Sequence, residues 1–374
     1  MIDDDSTLPL PALMEAWRPP VGGKRTLRGS MLRLTAGKGR GDRADSARAK
    51  LARIVRKAPE VVVKISGRQH GAGHLSAHLE YIGRHGKLEV ETGDGERITS
   101  VAGLRELAAE WEVLDDATNR GRARPTSISM VLSMPQGIPP EIVHDAARAF
   151  ARVELDEQFS YAMALHTDTN HPHVHVTVAA EGYHGVRFNP RKADLHVFRE
   201  TFAHELRARG VECEATPRRA RGIVRKSDPS AVRHIELRTE RRPASRGGET
   251  IRQHRRTLDE ATRIVRSRKP DYRPQDDQAV RRQRQVREAY EQAAKALENS
   301  RKAEDRVLAG EVRAFVVGMP MPLSQRLSLA IEVGRRDRHA VRPDQNAGWK
   351  HERDRVGTLT RRKDAPDDGP DRSG

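Results

Sequence analysis

Two neighbouring segments, residues 159–166 and 173–180, alternate apolar with other side chains at a period of two, which predicts two β-strands joined by a short polar loop. The second segment reads His-Val-His-Val-Thr-Val from His173 onward. Because successive side chains of a strand point to opposite faces, His173 and His175 would project together while the valines point to the other side. The chain must therefore build a sheet here that carries two histidines on one face.

A third histidine, His166, ends the first segment. If the two strands pair through the loop between them, His166 reaches the face that carries His173 and His175, beside small residues that leave room for a ligand. Three protein nitrogens with open coordination positions are typical of a catalytic rather than a structural metal site. Asp168 follows closely and is expected to orient a ligand imidazole. His171 has the right strand parity but lies in the loop, so we rank it behind the other three.

The string from His166 to His175, His-Thr-Asp-Thr-Asn-His-Pro-His-Val-His, resembles the third motif of the relaxase and mobilisation nucleases. These nucleases are members of the His-hydrophobe-His (HUH) endonuclease superfamily. The resemblance implies a divalent ion, Mg²⁺ or Mn²⁺, held by His166, His173 and His175, which would polarise a scissile phosphate. Imidazole ligands by themselves favour softer metals, so the expected metal follows from the resemblance. One departure is His171, which stands where asparagine is more usual.

Such an enzyme needs a nucleophile, and the sequence has five tyrosines. Tyr81 is the best candidate, because it lies near the end of a helix predicted over residues 74–85 and precedes a Gly-Arg-His-Gly turn that resembles the first motif of the family. Tyr161 falls on the apolar face of its strand and is expected in the core. Tyr183, in a predicted turn just past the histidine strand, is a competitor. The others lie in the charged C-terminal part (Tyr272 and Tyr290).

A phenol attacks a phosphate only when its environment or a base activates it. Asp168, directly or through His166, is our candidate for accepting the proton. Residues 127–135 alternate as a strand and are similar to the second motif region of the family, in which Ser133 or its neighbours would contact DNA. An ordinary half-buried strand accounts for that pattern equally well. Arg84 and His171 are further candidates for DNA contact.

Regular elements are predicted from residue 59 to residue 217, where paired strands are interrupted by helices. This pattern predicts an α+β domain with a central, mainly antiparallel sheet, as the resemblance to HUH nucleases and relaxases also implies. Residues 1–58 are expected to form a flexible basic arm, and residues 336–374 a disordered tail. Residues 218–335 are expected to form a basic, mainly helical region that binds DNA or a partner.

Charge and composition limit the partners and the location. Lys and Arg number 69 against 53 Asp and Glu, a formal net charge of +16 over 374 residues, which predicts nucleic acid as the partner. Cys213 is the only cysteine in the sequence, so an intrachain disulfide and a thiolate zinc cluster are excluded. No apolar run approaches the roughly 20 residues that span a bilayer, and the N-terminus is acidic where a signal peptide is basic. We therefore expect a cytoplasmic protein without membrane insertion.

The resemblance implies a conjugative relaxase, a metal-dependent, site- and strand-specific DNA endonuclease and strand transferase. Tyr81 would attack a phosphodiester at the transfer origin of a plasmid or mobile element, leave a 3′ hydroxyl and a 5′ phosphotyrosine, and later rejoin the strand. The implied partners are single-stranded and duplex DNA, relaxosome accessory proteins and a type IV secretion coupling protein.

Two alternatives stay open at this point. A rolling-circle replication initiator of the same superfamily is disfavoured by the single strong tyrosine and the long basic C-terminal region. A non-catalytic accessory protein that only binds the origin is disfavoured by the histidines, since phosphate binding needs Arg and Lys rather than clustered imidazoles.

Overall fold

The computed structural model describes residues 8–18, 40–119, 124–156, 158–183, 185–223, 249–267, 274–320 and 325–340. The strands are β1 (Val62–Gln69), β2 (Val90–Thr92), β3 (Arg97–Ile98), β4 (Ser127–Ser133), β5 (Tyr161–His166) and β6 (His173–Ala179). The helices are α1 (Leu10–Trp17), α2 (Arg40–Val55), α3 (Gly71–Ile82), α4 (Val101–Asn119), α5 (Pro140–Glu154), α6 (Lys192–Arg207), α7 (Glu249–Arg266), α8 (Pro274–Glu298), α9 (Ala303–Gly318) and α10 (Gln325–Ala340), with a 3-10 helix at Arg218–Arg221. In this described part, none of the helices has the length and apolar character needed to cross a membrane.

The six strands form one sheet in the order β1-β4-β6-β5-β2-β3, and every neighbouring pair is antiparallel. The predicted α+β domain with a mainly antiparallel sheet is confirmed. β5 and β6 pair with His166 opposite His173, and β4 pairs with β6 so that Ser133 also lies opposite His173. The three central strands therefore bring together residues that are more than 30 positions apart in the sequence.

Apolar side chains pack on both faces of this sheet. On one face, α5 and α6 cover the valines of β6, and their Phe150 and Phe198 rings meet edge-to-face at 5.5 Å. On the other face, α3 and α4 pack onto the alanines of β5. Full burial of one leucine-sized side chain stabilises a fold by about 2 kcal/mol, and small alanines allow a helix to approach the sheet closely. The end of α3 thereby lies beside the histidines of β5 and β6.

Two helices near the N-terminus belong to a second apolar core, which corrects the predicted flexible arm. α1 and α2 bury Leu13, Trp17 and Leu51 in a cluster with α8 and α9. The Trp17 indole N–H donates to the Tyr290 hydroxyl at 3.1 Å, across 273 sequence positions, and that hydroxyl donates to the carbonyl of Ala220. The apolar side chains of α1 and α2 pack against helices that are distant in the sequence. The local sequence therefore shows no sign of a core and reads as a linker. Residues 1–7 and 19–39 of the predicted arm lie outside the described part.

The C-terminal half also divides differently from the prediction. The described residues up to 223 form one compact unit with those from 278 to 320, and the described residues of 249–277 form another with those of 325–340. The predicted region 218–335 is therefore shared between two units, because α8 and α9 pack on the N-terminal helices. In the second unit, α7 and α10 pack through Ala261, Leu329 and Ala330. Residues 336–340 of the predicted tail belong to α10. The rest of it, from residue 341 onward, lies outside the described part.

We expect a chain that ends at residue 217 to be strongly destabilised. It would lack α8 and α9, so Leu13, Trp17 and Leu51 would be exposed at a cost of about 2 kcal/mol each, a large share of the about 5 to 15 kcal/mol that stabilises a typical domain. A chain that ends at residue 322 keeps this core and should melt near the temperature of the full chain. Thermal unfolding followed by circular dichroism measures both. Equal melting temperatures for the two truncations would show that the helical core does not stabilise the nuclease sheet.

Candidate active site

Three histidines converge where β5 ends and β6 begins. The ring centroids of His166 and His175 lie 4.5 Å apart, and the ring of His173 lies 5.3 Å from each of them. One ring nitrogen from each residue lies within 4.8 Å of the other two. His166 and His175 are buried, whereas His173 is half-buried at the rim. The convergence predicted from strand parity is therefore present, and the cluster is open on one side.

The hydrogen bonds of these imidazoles fit a metal site. The Nε2–H of His166 donates to the carbonyl of Ile82 at 2.7 Å, and the Nδ1–H of His173 donates to the carbonyl of His171 at 2.9 Å. Each ring then has one nitrogen that does not bind the backbone, and the backbone partner holds the ring in place. On His166 this nitrogen, Nδ1, accepts from Nη2 of Arg84 at 3.3 Å, a contact that a bound cation would replace. The Nδ1 atom of His175 is buried and has no hydrogen-bond partner among the described residues. A buried nitrogen of that kind calls for a partner, and a bound cation supplies one.

The electrostatics of the cluster favour neutral imidazoles at His175 and His166. Burial, followed by the nearby His166 and His173, lowers the pKa of His175 to about 3. Burial likewise lowers the pKa of His166 below its usual value. Because a metal ion binds the neutral ring, an imidazole that is already unprotonated at neutral pH releases no proton on binding. The residues thus match the needs of a divalent cation in both geometry and charge.

Tyr81 lies at the end of α3, next to the histidine cluster. Its side chain is 52% exposed, and its ring centroid lies 6.0 Å from that of His175 and 6.4 Å from that of His166. The following residue, Ile82, is fully buried and accepts the His166 hydrogen bond through its carbonyl. The backbone beside Tyr81 is therefore fixed to the histidine cluster, while the phenol itself is open to a substrate.

The turn after Tyr81 has an unusual backbone conformation. Arg84, His85 and Gly86 have φ angles of +50°, +56° and +81°, in the left-handed region that costs a non-glycine residue about 1 kcal/mol or more. A Cβ atom at Gly86 would lie 3.0 Å from the carbonyl oxygen of Thr99, a contact so tight that the backbone would have to shift slightly to accept a side chain. The amide of His85 bonds to the carbonyl of Glu80 at 2.7 Å and closes the turn. Backbone strain of this kind persists only where the surrounding structure holds the residues in place. Here the left-handed turn reverses the chain direction after Tyr81, so that the Arg84 side chain lies near the Tyr81 ring.

Arg84 joins the tyrosine to the loop between β5 and β6. Its guanidinium lies 5.6 Å from the centre of the Tyr81 ring. Its Nη2 atom donates to Nδ1 of His166 at 3.3 Å and forms an ion pair with Asp168. Although partial desolvation acts in the opposite direction, the charge of Arg84 holds the pKa of Asp168 below its usual value. The Asp168 carboxylate is therefore ionised and paired, which makes it a weak proton acceptor and a good anchor for the guanidinium.

The remaining candidates take different places. Ser133 is half-buried at the end of β4, opposite His173. His171 is exposed in the loop and reaches the cluster through its backbone carbonyl. Tyr183 is 59% exposed, and its hydroxyl lies 3.0 Å from Oγ of Ser160, just before β5 begins. Because a six-residue strand spans about 17 to 20 Å, Tyr183 lies at the opposite end of the strand from the histidines.

The other tyrosines are also separated from the site. Tyr161 is buried on the face covered by α5, and its hydroxyl donates to Asp156. Tyr290 is buried in the helical core. Tyr272 lies outside the described residues.

One residue beside the site, His78, received no role in the sequence-based prediction. Its Nε2 lies 3.0 Å from Oγ1 of Thr177 and 2.8 Å from Oγ of Ser129. Its ring centroid is 6.4 Å from that of Tyr81, and burial lowers its pKa to about 4. His78 therefore ties α3 to β4 and β6 as a neutral side chain. The signal in the sequence was its position one helical turn before Tyr81 on the same polar stripe.

Comparisons with known proteins agree with this geometry. Residues 81–211 match the family model of the relaxases, described as the MobA/VirD2-like nuclease domain. The match begins at Tyr81 and contains the three histidines. The T-DNA border endonuclease VirD2 of Rhizobium radiobacter is 27% identical over 163 residues, which cover 39% of this chain and 38% of that protein. The chain thus spans well under half of the length of this relative. Residues 81–211 therefore form a nuclease domain of the MobA/VirD2-like relaxase type, a type found in DNA-nicking endonucleases.

Proposed function

We propose that the protein is a conjugative relaxase that nicks one DNA strand at the transfer origin of a plasmid or mobile element, with Tyr81 as the nucleophile. The observation that carries the proposal is the exposed Tyr81 ring 6.0 Å from the ring of His175. Among the described tyrosines, Tyr161 and Tyr290 are buried in cores, and Tyr183 lies at the far end of the strand. The turn that contains Arg84 and His85 directly follows Tyr81, and its position next to the histidine cluster supports the same assignment.

The proposed reaction exchanges one phosphodiester for another. The phenolic oxygen of Tyr81 bonds to the scissile phosphorus, and the bond from phosphorus to the 3′ oxygen breaks. The phenol gives up its proton, and the leaving oxygen takes one up to become a free 3′ hydroxyl. The DNA 5′ end remains on Tyr81 as a phosphotyrosine, so the reverse attack by a 3′ hydroxyl rejoins the strand without another energy source.

His166, His173 and His175 would hold the divalent ion, Mg²⁺ or Mn²⁺. When bound, such an ion polarises the scissile phosphate and offsets its charge. The neutral rings of His166 and His175, the backbone bonds of His166 and His173, and the unpartnered Nδ1 of His175 support this assignment.

Arg84 and Asp168 would act together beside the ion. A guanidinium binds phosphate oxygens in a fixed, planar geometry, and Arg84 lies over the ring of the proposed nucleophile. Asp168 was the sequence-based candidate for the base, acting directly or through His166. Its ion pair with Arg84 and its lowered pKa favour a positioning role instead.

The wider partners follow from the same proposal. Single-stranded and duplex DNA at the origin fit the net charge of +16. Relaxosome accessory proteins and a type IV secretion coupling protein would complete the machinery in the cytoplasm.

The direct test incubates the full chain with single-stranded oligonucleotides that cover the candidate origin of its own element. With Mn²⁺ we expect a slower-migrating band in a denaturing gel that disappears after protease treatment, because the DNA end is bound to protein. After chelation by EDTA the band should be lost, since the phosphate charge is no longer offset. Cleavage to free ends without attachment would indicate a hydrolytic nuclease, and binding without cleavage would favour the accessory protein.

A further inference from the structure

The sheet face that carries the histidines continues onto the edge strand β1. Val131 of β4 lies opposite His175 of β6, and Lys64 of β1 lies opposite Val131. Residues directly opposite each other in an antiparallel pair share a face, so these three side chains form one row across the sheet. Because adjacent strands are about 5 Å apart, the backbone of Lys64 lies roughly 10 Å from that of His175. The row leads from the proposed metal site to the edge of the sheet.

This outer part of the face is accessible. The apolar side chains of α3 and α4 pack on β5, β6 and the hairpin of β2 and β3, so that core does not extend over β1. Lys64 is exposed, and Val62, in the adjacent row, is 44% exposed. Val62 lies opposite Ser133, which lies opposite His173. Val131, in the middle of the first row, is buried, so the accessible connection from the histidines to the sheet edge runs over Ser133 and Val62, beside Lys64.

Lys64 is suited to bind an anion in this place. Within the described part of the chain, no carboxylate lies within ion-pair distance of its ammonium group. The lysine side chain is a mobile point charge that binds phosphate without a fixed geometry. Between the histidines and the sheet edge, the two rows consist of Val131, Lys64, Ser133 and Val62, so a base passing over this part of β4 and β1 would find no ring to stack on.

We propose that the single DNA strand leaves the scissile phosphate across β4 and over β1, and that Lys64 binds the phosphate one or two nucleotides from the nick. This inference rests on the proposed function of the same site. It extends the DNA path beyond the segment that matches the relaxase family, which begins at Tyr81. Since the contact is to phosphate, it adds affinity without base preference.

The test uses a full chain that carries Tyr81→Phe, which binds DNA without cutting, and oligonucleotides in which one phosphate at a time is replaced by a neutral methylphosphonate. In this background, Lys64→Gln should weaken binding about tenfold, as expected for a charged hydrogen bond. It should also reduce the log–log salt slope by about 0.7, the value for one single-strand phosphate. Methylphosphonate at one position near the nick should lower the DNA affinity of the chain that retains Lys64. The same replacement should hardly change the affinity of the Lys64→Gln chain, which has already lost this contact.

The matched control is Arg68→Gln. Arg68 is an exposed cation on the same strand but lies opposite Ile128, whose side chain packs in the core on the other face. Its replacement should change neither the affinity nor the position-specific loss. The proposed path is wrong if the Lys64→Gln chain still loses affinity at every phosphate at which the chain with Lys64 does. It is also wrong if Arg68→Gln lowers the affinity as much as Lys64→Gln. Covalent attachment by the chain that retains Tyr81 is measured separately, so a failure of the path is distinguished from a failure of the nicking reaction.

Discussion

Replacement of Tyr81 by phenylalanine should abolish the covalent protein–DNA adduct, with a loss on the order of 10⁴-fold or more, as for removal of a nucleophile. The variant loses one oxygen from a side chain that is 52% exposed. The ring stays, so its contact with Arg84 and the packing of α3 stay as well. We therefore expect oligonucleotide affinity within about twofold of the unmodified chain and an unchanged melting temperature. Gel-shift titration and denaturing gels measure the two quantities.

Tyr183→Phe is the matched control, because it removes a phenolic oxygen from a tyrosine of similar exposure. That hydroxyl contacts Ser160 at the far end of β5, so adduct formation should be unchanged. Peptide mapping of the adduct identifies the attached residue independently. A DNA-linked peptide that contains Tyr183, or an adduct that persists in Tyr81→Phe, would refute the assignment of Tyr81.

The second large effect is expected from His175→Ala. His175 lies within 4.8 Å of both other ligand nitrogens and has a buried nitrogen without a partner among the described residues. Its removal should weaken Mn²⁺ binding about 100-fold or more and lower adduct formation in parallel, since a site with three ligands loses one. Calorimetric titration of the purified chain with Mn²⁺ measures the affinity, and the melting temperature without metal shows whether the fold is kept.

His171→Ala provides the comparison for the ligand variants. The His171 side chain is exposed, and its contact with the cluster is made by the backbone carbonyl that accepts from His173. The alanine variant keeps that carbonyl, so metal affinity should change by less than about threefold. Unchanged Mn²⁺ affinity in a folded His175→Ala chain, or an equal loss in His171→Ala, would be incompatible with the proposed ligands.

The sequence alone determined the features that depend on local geometry. The alternation along β5 and β6 assigned His173 and His175 to one face and their neighbouring valines to the other, because side chains of a strand alternate. One further step, the pairing of two strands across a short loop, placed His166 with them. The Gly-Arg-His-Gly sequence likewise predicted a turn after Tyr81, and the left-handed residues are there. In each case the relevant residues lie within about a dozen positions of one another.

Only the tertiary structure decided the features that depend on distant packing. The sequence offered both Tyr81 and Tyr183 as nucleophiles, and Tyr183 is the nearer of the two to the histidine motif along the chain. The docking of α3 on the sheet nevertheless brings Tyr81 to the cluster, whereas Tyr183 lies at the other end of β5. The pairing of Arg84 with Asp168 crosses 84 positions, and the contact of Trp17 with Tyr290 crosses 273. The apolar pattern of a short segment shows which of its side chains become buried, but it does not show which distant segment covers them. The hydrophobic effect is non-directional, so any apolar surface of the folded chain can provide that cover. The sequence therefore predicted the convergence of the three histidines, whereas the packing of helices brings Tyr81 beside them and joins α1 to α8.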